Sequence, residues 1–89
     1  VTGSGAVTLA TGIVRSANVI TRETPSGSVN GSNTTYTLAN TPLSGSESVY
    51  LNGILQDPGA GNDYTISTAT ITFASAPSTG DKIRVSYLK

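Results

Sequence analysis

Eighty-nine residues allow one domain and one core, and eight of the 32 hydrophobic residues are alanine, so that core is thin and would gain from neighbouring copies. Gly, Pro and Ser supply 26 residues, while Leu, Ile, Val and Phe supply 20, a composition at the border of disorder that leaves pattern to decide folding. Five basic and five acidic residues balance to zero, and neither cysteine nor histidine occurs, which excludes disulfides, thiol nucleophiles and the usual general base.

Residues 1–17 read as an extended arm or linker. Val7, Leu9, Ile13 and Val14 are apolar but separated by Thr, Ser, Ala and Gly, and no turn signal pairs one part of the segment with another. An isolated strand leaves its backbone groups unpaired, so the segment is either a disordered tail or an arm packed on a neighbouring subunit. Those four apolar residues are its candidate inter-subunit contacts. The chain opens at Val1 rather than methionine, which predicts processing or a longer parent polypeptide.

From Asn18 the period is two, and residues 18–89 form the expected β-domain. Val19, Thr21 and Glu23 point one way and Ile20 and Arg22 the other, in a strand that Pro25 and Gly27 stop. A turn-rich stretch around Asn30-Gly31-Ser32-Asn33 precedes a strand in which Tyr36 and Leu38 share a face. After a loop bearing Asn40, Pro42 and Gly45, the run Ser48-Val49-Tyr50-Leu51 meets Asn52-Gly53 and then Ile54-Leu55-Gln56. Asn-Gly between apolar stretches predicts a type I′ hairpin, because both central residues need positive φ. Asp57 to Asn62 forms the next loop. Tyr64 and Ile66, then Ile71 and Phe73, alternate with polar residues about a tight second hairpin at Ser67 to Ala69, and Ile83, Val85 and Tyr87 alternate with Lys82, Arg84 and Ser86 in a last strand.

No ten-residue stretch carries helical apolar spacing. About six to seven short strands separated by turn chemistry predict an all-β chain, a small antiparallel β-sandwich or barrel. Its inward set is Ile20, Tyr36, Leu38, Val49, Leu51, Leu55, Tyr64, Ile66, Ile71, Phe73, Ile83, Val85 and Tyr87.

The chemistry available is sparse. Lys82 alternates with the inward Ile83 and so faces water, which argues against a Ser–Lys dyad. Asp57 and Asp63 flank a glycine loop; with Asn62 they present oxygens to a cation, but the spacing is not that of a helix-loop-helix calcium loop, and the reading is a turn closed by side chain to backbone bonds. Two Asn-X-Ser/Thr sequons, at Asn30 and Asn33, are read as turn residues in a chain with 26 Ser and Thr. No helix follows the Gly3-Ser4-Gly5 or Gly59-Ala60-Gly61 spacings to aim amides at a phosphate. Tyr50 lies between inward neighbours and faces out, either stacking on a sugar or pairing with another aromatic across the sheet. No cofactor or metal is expected. The charge balance predicts no nucleic-acid partner, and apolar runs of only a few residues, against the roughly 20 that span a bilayer, predict no membrane partner.

Four stretches together carry a family resemblance: residues 23–42 (ETPSGSVNGSNTTYTLANTP), Val49-Tyr50-Leu51-Asn52-Gly53-Ile54-Leu55-Gln56, Gly61-Asn62-Asp63-Tyr64-Thr65-Ile66, and Ala76 to Tyr87. From about Ile13 to the C-terminus the chain resembles a module of tailed-bacteriophage virion proteins. It departs at Thr68, where that family often has a turn glycine. The resemblance implies a non-enzymatic structural protein of the phage particle, found at the end of tail fibres and related appendages and assembled as a homotrimer with other virion proteins around it. The upstream Gly5-Ala6-Val7-Thr8-Leu9-Ala10-Thr11-Gly12 looks like the linker repeats that precede such fibre ends. Two alternatives stand beside this: a capsid decoration protein that stabilises the head, and a carbohydrate-binding module that attaches the particle to a host surface glycan. The candidate surface-loop contacts are Asn30, Asn33, Tyr50, Asp57 and Asn62.

Overall fold

A computed structural model describes residues 18–89. The expected contacts Val7, Leu9, Ile13 and Val14 lie outside the described residues. Among the described residues seven strands form two antiparallel sheets: β1 (Val19–Glu23), β2 (Thr35–Thr37), β3 (Ser48–Leu51), β4 (Ile54–Leu55), β5 (Tyr64–Ser67), β6 (Thr70–Phe73) and β7 (Ile83–Leu88). One sheet has the order β1-β7-β3-β4 and the other β2-β6-β5. There is no α-helix among the described residues, and the all-β architecture read from the alternation is the one observed.

The core lies between the inner faces. It comprises Val49, Ile83, Val85 and Tyr87 from the larger sheet and Tyr36, Tyr64, Ile71 and Phe73 from the smaller, with Leu38 just beyond β2. Ile20, Leu51 and Ile66 pack against it half-buried. The ring of Phe73 meets two tyrosines, lying 5.7 Å from Tyr36 in an edge-on arrangement and 6.4 Å from Tyr64. Each buried tyrosine keeps its hydroxyl paired, as burial requires. Tyr36 donates to the carbonyls of Ser28 and Asn33, both at 3.1 Å. Tyr64 donates to Glu47 at 2.9 Å, and Tyr87 donates to Glu23.

Two details correct the period-two reading. In β1, Ile20 opposes Tyr87 while Glu23 opposes Val85, so β1 carries one residue more than β7 over the same span. This bulge is accommodated at Arg22, whose φ is +53°. It turns Glu23, rather than Arg22, toward the core side. In the β3–β4 hairpin, Asn52 and Gly53 have φ of +53° and +83°, and the two-residue loop sets Leu51 opposite Ile54 and Tyr50 opposite Leu55. Leu55 therefore shares the outer face with Tyr50 and is exposed, not inward as the alternation suggested.

Beyond the bulge the chain leaves the larger sheet. Pro25 is buried, and Ser26 exchanges backbone hydrogen bonds with Thr37 at 2.9 and 3.0 Å, so the first strand ends by bridging to β2 in the other sheet. Such sheet switching at a bulge is a common way to join the layers of a small sandwich.

Candidate functional site

The outer face of the larger sheet brings polar side chains together with one aromatic, Tyr50. Tyr50 on β3 faces Arg84 on the central strand β7 and Leu55 on β4. Ser48 faces Ser86 one step further along, and Ser86 Oγ accepts the backbone N–H of the bulged Arg22 at 3.0 Å. The bulge thus delivers the Arg22 side chain to the face that holds Arg84. Arg22, Tyr50, Gly53, Arg84 and Ser86 line an open hollow of about 340 Å³. The Arg84 guanidinium donates through Nη1 to the Ile83 carbonyl at 2.8 Å, which fixes it close to the sheet. Tyr50 is half-buried there and has an arginine and a leucine, not a second aromatic ring, as its cross-strand partners.

The other expected contacts gather elsewhere. The start of β2, the end of β6 and the start of β5 are at one end of the smaller sheet, and this places Asn30, Asn33, Asp57 and Asn62 in loops at that end. Their side chains are partly occupied by the loops themselves. Asn30 Oδ1 accepts the N–H groups of Ser32 and Asn33, both at 2.9 Å. Asn33 accepts from Thr35 N–H at 3.2 Å and donates to the carbonyls of Ser28 and Thr35 at 3.2 and 2.9 Å. Both sequon asparagines thus shape the turn, as read from their spacing. Asn62 donates to the Pro58 carbonyl at 2.8 Å, and Asp63 Oδ2 accepts the Asp57 N–H at 2.9 Å, closing the loop between the two aspartates. Gly31 N–H reaches the Pro77 carbonyl at 2.9 Å and ties the Asn30 turn to the loop before β7. Tyr50 does not join this group; it belongs to the outer face.

Among the described residues, four titratable groups are displaced from their ordinary values. Burial raises Tyr64, Tyr87 and Tyr36, reinforced for Tyr64 by Glu47 and for Tyr87 by Glu23. Asp81 is lowered because its carboxylate accepts from the Asn52 side chain at 3.0 Å and from Ser78 N–H at 2.8 Å. These are groups committed to holding loops and core. Among the described residues no three His, Cys, Asp or Glu side chains come together as metal ligands.

Sequence reasoning singled out Tyr50 and missed Arg22 and Arg84. Tyr50 meets Arg84 only through the β3–β7 pairing, between strands distant in the chain, and Arg22 joins them only through an irregularity that alternation does not announce. Comparison of the chain with protein-family models, curated proteins and solved structures found no match.

Proposed function

We propose that this chain is a non-enzymatic structural module of a tailed-phage particle, which works by its shape and by contact with sister copies in a homotrimer. The observation that carries the assembly is the edge strand β4. It is two residues long, and it leaves Ile54 67% and Leu55 56% exposed beside a sheet edge that has no partner strand among the described residues. The strand is too short to template further backbone pairing, so what invites association is these two large exposed apolar side chains, one on each face of the sheet, with no charge or proline on the strand to guard them. The thin core points the same way, since a small domain gains stability from burying apolar surface between copies. The phage assignment rests on the resemblance of the stretches at residues 23–42, 49–56, 61–66 and 76–87.

Light scattering coupled to size exclusion tests the assembly. The full chain is expected at the mass of three copies, and the double variant Ile54→Lys, Leu55→Lys at the mass of one, with an unchanged β-type circular dichroism spectrum. A wild-type chain that stays at one copy at high concentration would overturn the reading. Locating the chain in a reconstruction of the intact particle separates a tail appendage from a head decoration.

A further inference from the structure

We propose that the outer-face hollow bounded by Arg22, Tyr50, Arg84 and Ser86 binds an anionic saccharide, a sugar ring carrying a carboxylate or a phosphate. This inference does not rest on the assembly reading. Three observations carry it.

The first is the distribution of charge. The chain is neutral overall, yet four of its five carboxylates accept hydrogen bonds within the fold: Glu23 from Tyr87 and Ala39, Glu47 from Tyr64, Asp63 from Asp57, and Asp81 from Asn52 and Ser78. None of the five lines the hollow, whereas two of the four described basic residues, Arg22 and Arg84, do. A neutral molecule thereby presents a locally positive face. Guanidinium forks suit planar carboxylate and phosphate groups.

The second is the company the arginines keep. Tyr50 stands between Arg84 and Leu55 on the ladder, is half-buried, and lines the hollow. Aromatic rings of this kind take the apolar face of a sugar, while the Ser86 hydroxyl adds a small polar group. The hollow's volume of about 340 Å³ lies at the low end of small-ligand sites.

The third is the backbone at Arg22. A long side chain occupies a left-handed conformation, φ +53°, that glycine would adopt at less cost. Backbone strain persists where the surrounding structure enforces it and clusters at functional sites, and here the strained residue lines the hollow.

The test is titration of the ¹⁵N-labelled full chain, followed by NMR, with methyl glucuronide, glucose 6-phosphate and the neutral methyl glucoside. The acidic sugars are expected to shift the amides of Arg22, Tyr50, Arg84 and Ser86 saturably, with the neutral sugar binding at least about tenfold more weakly and the acidic affinity falling as salt rises. If only one acidic sugar binds, it identifies the anionic group. Arg84→Gln should lower the affinity about tenfold. Arg22→Gly should do the same while raising the melting temperature, because it removes the strain together with the charge. Unchanged affinity in Arg22→Gly, equal binding of the neutral sugar, or no binding of either acidic sugar would overturn the proposal. So would inorganic phosphate matching both acidic sugars, tighter binding of oligothymidylate at the same amides, or ligand-free shifts of Arg22, Arg84 and Ser86 that grow with protein concentration in the Ile54→Lys, Leu55→Lys variant, which would make this face an interface separate from the β4 edge.

Discussion

Gly27 and Tyr36 are fitted to one another. At Gly27 φ is +141°, and a Cβ would stand 2.5 Å from Tyr36 Cδ2. The ring has little freedom to retreat, because its hydroxyl is held by the Ser28 and Asn33 carbonyls and its edge packs on Phe73. Gly27→Ala is therefore expected to cost about 2–4 kcal/mol, combining overpacking with backbone strain. A urea midpoint equal to that of the wild type would refute this fit. Thr68 shows the opposite imbalance. It holds φ +56° in the β5–β6 turn as an exposed β-branched residue, a conformation that disfavours its side chain. Thr68→Gly relieves that strain at the cost of a more flexible unfolded chain, and the expected net gain is about 0.5–1 kcal/mol, read as a higher melting temperature. A lower melting temperature would show that the threonine side chain has a role in the turn.

Among the elements, the β3–β4 hairpin was legible in the sequence because its turn chemistry is local. Asn52-Gly53 supplies both positive φ values, and the side chain of Asn52 then latches the tip to the loop before β7, accepting from Lys82 N–H at 2.9 Å and donating to Asp81 at 3.0 Å. That latch is acid-sensitive. The carboxyl of Asp81 is held below its ordinary 3.8 in the folded chain, so its stabilisation is present above that value and is lost as pH falls through the lower folded value. Asp81→Asn should accordingly flatten the loss of stability between about pH 5 and about pH 2 relative to wild type; parallel curves would remove Asp81 from the account. The alternation of Tyr36, Ile71, Phe73, Ile83, Val85 and Tyr87 likewise foretold the core, since period two needs no knowledge of the partner strand. β1 was misread, because its bulge leaves a sequence of ordinary alternation, Ile20 to Glu23, with no glycine to mark the extra residue. The position of Leu55 was implicit in the two-residue turn, which fixes its partner as Tyr50. The outer-face hollow was not legible, since it depends on both the bulge and the non-local β3–β7 pairing.

At the scale of the whole molecule, three tyrosine hydroxyls fasten loops or neighbouring side chains to the core, and all three are raised above their ordinary value of 10.0. Below that value folded and unfolded chains are both protonated and this stabilisation is complete. Above it the unfolded chain ionises first and the equilibrium moves toward unfolding. Wild-type stability should therefore fall as pH climbs past about 10, and Tyr64→Phe should soften the fall; identical alkaline slopes in urea unfolding would exclude Tyr64 as a source.

The antiparallel union of β1 and β7 also fixes how the body answers mechanical tension. Val19 lies opposite Leu88, and Lys89 N–H bonds the Asn18 carbonyl at 3.0 Å, so both ends of the described domain emerge side by side. Tugging them apart breaks the β1–β7 rungs one after another, like a zip, whereas a grip at the far end of each strand would strain every rung together. Optical tweezers with handles at residues 18 and 89 should meet a low rupture force, and a tall single peak in that geometry would contradict the zip.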